Sequence, residues 1–252
     1  MKHSKLFCLL LAAMLCISLF SGCGNTNTNQ ATAGETTVSA DNTAAFPQNE
    51  TDENESAAEQ LLQGLQGIYQ ELWPVVLADE YHQTWLDNCA SLAGAENAES
   101  AAEMLSSMVT GTLTGEDAVN AYKDGNKAYC CEFLQDVERF TFDGSTISGT
   151  DGNGNEVFRH NYHYTGMEDV RGFSIFESDD ADSGEFTYFC LAPDTMDTTW
   201  HIEFRYGSDL DALNAYDSGR YAYWLASGIS VDCTLQDIES AIELFCTENL
   251  SE

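Results

Sequence analysis

The sequence predicts a mainly β domain with helices, an antiparallel barrel, closed or half-closed, with helical covers. Three observations lead there. Apolar residues recur at three- and four-residue spacing in the first part of the domain, the period changes to two in the middle, and a capping-box sequence opens an amphipathic helix near the end. No internal repeat interrupts this order, and the roughly 195 residues involved are the size of one domain.

The elements follow in chain order. Leu61, Leu62, Leu65, Ile68, Leu72, Val75 and Val76 carry a helical pattern that Pro74 should kink or end. A second helical region over 99–122 turns Ala102, Met104, Leu105, Met108 and Val109 toward a core, and Gly111 and Gly115 break its end. Strand character then begins. Asp143-Gly144 joins Phe140-Thr141-Phe142 to residues 145–148 as a tight hairpin. The segment Asp151-Gly152-Asn153-Gly154-Asn155 starts like a calcium loop. It lacks glycine at the sixth position and glutamate at the twelfth, where Tyr162 stands, so it reads as a second hairpin turn before the strand 156–164. Further strands are expected over 172–177, 185–191 and 198–206, a short helix over 209–216, and a last helix that begins at Thr234-Leu235-Gln236-Asp237 and ends near Asn249.

Ahead of the domain, Lys2 and Lys5 precede an apolar run of about 15 residues, and Leu19-Phe20-Ser21-Gly22 precede Cys23. This order reads as a lipoprotein signal over 1–22, with cleavage before Cys23 and a diacylglycerol thioether on its sulfur. The run is too short to span a bilayer. Residues 23–57 read as the lipidated cysteine and a solvated tether, and 58–252 as the domain. Cleavage would leave 7 basic residues against 42 acidic ones, a formal charge of −35. Such a chain repels nucleic acid and anionic head groups, so acyl chains must supply the membrane attachment, and the expected location is extracytoplasmic. Besides Cys23 the mature chain has six cysteines, with no CxxC, which permits up to three disulfides in 15 connectivities outside the cytoplasm.

Four histidines remain after cleavage: His82, His160, His163 and His201. His82 reads as a structural or surface residue beside Tyr81 and Trp85. His160 and His163, three apart in a strand, point to opposite faces and cannot share a metal without a bulge. His201 begins the alternating run His201-Ile202-Glu203-Phe204-Arg205-Tyr206-Gly207. His201, Glu203 and Arg205 share one face, and His201 and Glu203, about 7 Å apart at Cα, can converge on one ion. Zinc needs three or four donors, so the pair is half a site. The alternative on local grounds is an ion-pair ladder in which Arg205 neutralises Glu203.

Residues 65–74 (LQGIYQELWP), Asp136-Val137-Glu138-Arg139-Phe140, Ala192-Pro193 and residues 201–207 occur in an order that resembles the ZinT/YodA family. The resemblance covers about 58–250. It implies a lipocalin-like barrel in an exported zinc- or cadmium-binding protein, with a zinc-uptake transporter component as a partner. It places His201 and Glu203 on two family histidines and Phe189 on a third, so one histidine of three is kept. The expected metal residues are His201 and Glu203, with zinc, cadmium or another divalent ion as ligand. No nucleophile elbow, phosphate-binding glycine loop or HExxH supports an enzyme. Two other functions fit the sequence: a metal-free barrel taking a small apolar ligand, and a surface interaction module.

Overall fold

A computed structural model describes residues 49–123, 125, 127–169, 171–192 and 200–251, with side chains from residue 57 onward. The signal, Cys23 and most of the expected tether lie outside the described residues. Helix α1, Asn49–Gly64, begins inside the stretch read as tether and packs Leu61 and Leu62 inward. The apolar spacing that predicts one helix through Val76 proves to be three elements: α1, strand β1 (Gln66–Glu71) and the short helix α2 (Leu72–Val76). Gly64 and Gly67 explain the break, since glycine disfavours helix and Gly67 has φ +132°. From there the chain alternates, with Tyr69 buried and Ile68 exposed. Pro74 sits in the first turn of α2, where its missing N–H costs nothing.

Helices α3 (His82–Ala93) and α4 (Ala98–Val109) follow, then α5 (Gly115–Ala121). Strands β2 (Arg139–Asp143) and β3 (Thr146–Thr150) form the expected hairpin, with Gly144 at φ +61° in its turn. The Asp151 turn leads into β4 (Glu156–Met167), which pairs with β5 (Ser174–Ser178). Strand β6 (Tyr188–Leu191) follows a 3-10 turn at Gly184–Phe186, and β7 is His201–Gly207. After α6 (Leu210–Leu213) comes β8, Ala226–Ser230, which the sequence pattern does not announce. Helix α7, Leu235–Leu250, starts from the expected capping box: the Thr234 hydroxyl accepts from the Asp237 N–H, and the Asp237 carboxylate accepts from the Thr234 N–H.

Every strand pairs antiparallel with its chain neighbour, and β8 pairs with β1, so the sheet closes as an eight-stranded up-and-down barrel. Aromatic rings from β2, β4, β6 and β7 fill the interior. Gly149 faces Phe158 there so closely that a Cβ would come within 2.5 Å of its ring. The connecting stretch before β2 closes one end. Phe133 packs edge-on against Phe140 at 4.8 Å, and its N–H donates to the Glu71 carboxylate at 2.8 Å. Outside the barrel, α7 lies against α2 and α3, and α2 touches β8. No helix among the described residues is long and apolar enough to cross a membrane.

Candidate functional site

Strand β7 carries the residues of interest because its strict alternation sends two chemically different sets to opposite faces. Ile202, Phe204 and Tyr206 enter the barrel. Phe204 meets Phe140 edge-on at 5.0 Å, and Phe189 of β6 lies parallel to Tyr206 at 5.4 Å. The Tyr206 hydroxyl accepts from the Leu134 N–H at 2.5 Å and donates to the Leu134 carbonyl at 2.8 Å. Burial holds its pKa far above the usual phenol value.

His201, Glu203 and Arg205 take the other face, yet they are not solvated, being 6%, 5% and 0% exposed. The cover comes from the segments and helices packed over β7 and β8. His201 stands opposite Ile229 and Glu203 opposite Ser227 on β8. The His201 ring lies 5.3 Å from that of Trp200. Cys131 sits within electrostatic reach of Glu203, and its thiol donates to the Tyr129 carbonyl at 3.9 Å. Burial first, and the Glu203 charge second, push its thiol pKa well up. The expected ladder does not describe Arg205, whose two terminal nitrogens donate to the carbonyls of Leu213 and Tyr221. Its guanidinium lies 4.4 Å from the Tyr216 ring, and Arg171 stacks on the same ring at 3.3 Å. Burial lowers the Arg205 pKa.

The structure thus places His201 and Glu203 on one face of β7, and Phe189 on the other side of the sheet. Phe189 is fully buried among Phe140, Phe158, Tyr162, Phe204 and Tyr206, on the inner side of the sheet. Tested against zinc, the described residues supply an imidazole and a carboxylate on one face. No group of three or more His, Cys, Asp or Glu is assembled for a metal among them. The donors present fit half a zinc site.

The remaining histidines go elsewhere. His82 is an exposed residue 3.8 Å from Glu99. His160 and His163 point to opposite sides of β4 as expected, His160 bound to Asp180 and His163 to Asp179, each at 2.7 Å. A cavity of about 500 Å³ near His160 is lined by Phe158, Asp182, Glu185 and Phe186 among others. In the Asp151 turn the carboxylate accepts from the N–H groups of Asn153 and Asn155 and from the Asn155 side chain. Those bonds lower its pKa and complete a protein-only turn.

Compared with solved structures, the chain superposes on two from Streptococcus pneumoniae. One is the Zn(II)-bound ZinT-like domain of AdcA, at 17% identity and a TM-score of 0.47, over 72% of this chain and 89% of that one. The barrel is similar to a ZinT-like domain. The other is Zn(II)-bound AdcA itself, at 16% identity and a TM-score of 0.45, and there the chain spans only 35% of the longer protein. The first bears the family name that the motif order suggests, and the likeness concerns the fold. By sequence, no protein-family description and no curated protein matches the chain.

Proposed function

We propose that this is a lipid-anchored, extracytoplasmic protein that binds a divalent metal, zinc first, through His201 and Glu203. The observation that carries the reading is the pairing of an imidazole and a carboxylate, both buried, two residues apart on one face of β7. A metal there would be held by that imidazole and carboxylate, with water completing its shell. Two mixed donors hold zinc less tightly than three imidazoles, which suits reversible capture and hand-over to a transport component better than permanent storage. The export signal ending at Cys23 supports the location, and the acyl chains on that cysteine provide the attachment.

The experiment is a calorimetric zinc titration of the full chain in detergent at neutral pH, beside His201→Ala. The expected result is about one zinc per chain, lost in the variant. Absence of heat above a metal-free control sinks the metal reading. Separately, Cys23→Ala should shift the protein from the membrane to the soluble fraction, and a variant that stays membrane-bound removes the anchor from the proposal.

A second reading, a barrel of this type that works without metal, has one observation in its favour. Phe189 replaces the third family histidine with a ring locked into the aromatic interior. The same titration separates the two.

A further inference from the structure

We infer that Cys89 and Cys246 form a disulfide that fastens the C-terminal helix α7 to helix α3. The two sulfurs lie 3.9 Å apart across the contact between these helices, and both residues are fully buried. They are separated by 157 positions in the chain, so their approach is a product of the fold and not of local sequence. Around them Phe245 packs edge-on against Trp73 at 4.8 Å and Trp85 at 6.2 Å, and the Trp85 indole N–H donates to the Val76 carbonyl at 2.8 Å. These contacts fix the helices on either side of the sulfur pair. A disulfide needs about 2.05 Å between sulfurs, which asks each to move by about 1 Å, within reach of a small side-chain adjustment.

The reaction is thiol–disulfide exchange with a small or enzymatic disulfide of the glutathione class. One cysteine, as thiolate, attacks the oxidant and forms a mixed disulfide, releasing one oxidant thiol. The second cysteine then attacks that mixed disulfide, forming the Sγ–Sγ bond and releasing the second oxidant thiol. Two electrons and two protons pass from the cysteines to the oxidant, so the sum is two protein thiols plus one disulfide giving one protein disulfide plus two thiols. Burial opposes the thiolate in the folded protein: the Cys246 pKa is pushed up to about 12, and that of Cys89 is also raised. Closure therefore belongs to folding, or to openings in which α7 leaves α3. Once closed, the bond is shielded from reductants. The loop it closes spans most of the domain, the case in which a cross-link restricts the unfolded chain most.

The chemistry is read from the helix contact, and its operation in the cell rests on the extracytoplasmic location proposed above. The test refolds the full chain from denaturant in detergent with glutathione disulfide, followed by alkylation of remaining thiols and peptide mass mapping. The expected product is a linked peptide pair carrying Cys89 and Cys246, lighter by two hydrogens than the reduced pair. The melting temperature should rise by about 5 °C or more over the reduced chain, and dithiothreitol added after unfolding should reverse the gain. Alkylation of both residues in the refolded protein, or pairing of either with another cysteine, overturns the inference. The double variant Cys89→Ala with Cys246→Ala serves as control: it should fold and show no redox-dependent melting shift, and a shift that persists in it also overturns the inference. The same mapping on protein alkylated in intact cells separates the two proposals. A bond that forms on refolding but is missing from cells counts against the location and leaves the helix staple standing.

Discussion

The two faces of strand β7 are equally buried and chemically opposite. On the inner face, Ile202, Phe204 and Tyr206 meet only rings and aliphatic groups, and the one polar atom involved, the Tyr206 hydroxyl, both donates to and accepts from Leu134. On the outer face, His201, Glu203 and Arg205 keep an imidazole, a carboxylate and a guanidinium away from water. Burying such groups costs several kcal/mol unless partners compensate, and Arg205 shows the compensation in two carbonyls and the Tyr216 ring. The inner face accounts for stability. The outer face is built from polar groups held in place by partners, and the proposed metal pair lies on it.

The contrast breaks most severely at Phe204. Replacing it with alanine empties the space between Phe140, Phe189 and Tyr206, and should destabilise the protein by about 3–5 kcal/mol in chemical denaturation. Zinc heat per folded molecule should be unchanged, because His201 and Glu203 lie across the sheet. Loss of zinc binding in a chain that still folds would mean that the two faces are not independent.

Phe189→His sharpens the same point with a smaller effect. It restores a histidine at the family position, but inside the aromatic stack, where its ring N–H finds no partner among the surrounding rings. The expected cost is about 2–4 kcal/mol at neutral pH. The sign with pH follows from burial, which lowers the imidazole pKa in the folded state below its unfolded value of about 6.5. The unfolded chain then binds more protons, so the penalty grows as pH falls below that value and levels off above it. Zinc affinity should stay the same. A tenfold tighter site would show that position 189 does converge with His201 and Glu203, against the face assignment.

How far the fold was legible divides along similar lines. The hairpin at Asp143-Gly144, the turn at Asp151, the alternation of β7 and the capping box of α7 each depend on short-range chemistry, and each is where the sequence puts it. The two seam strands were hidden. Strand β1 shares its apolar spacing with α1 and α2, so Leu65, Ile68 and Leu72 imitate one helix. Strand β8 reads Ala-Ser-Gly-Ile-Ser, small residues covered on both faces, with no alternation to detect. Closure of the barrel therefore depends on long-range pairing that no local pattern encodes. At the site, the sharing of a face by His201 and Glu203 was visible from a period of two, whereas the carbonyls that hold Arg205 come from distant segments. The 3.9 Å approach of Cys89 to Cys246 is of that second kind.

The smallest expected effect lies outside both faces, at the Asp151 turn, and it calibrates what a polar group is worth when water competes for it. Asp151→Asn removes the charge that three donors from Asn153 and Asn155 stabilise. The same donors hold the aspartate pKa below its ordinary value, so its contribution is complete above the unfolded pKa and disappears as pH falls through the folded one. The variant should melt no more than about 2 °C below the natural protein at pH 7, and the gap should close in acid, below about pH 4. A larger gap, or one that persists in acid, would mean that the turn fixes the register of β3 against β4 rather than only capping it. In that case the exposed turn would belong with the buried faces as a determinant of the barrel, because β4 carries Phe158 into the same aromatic interior.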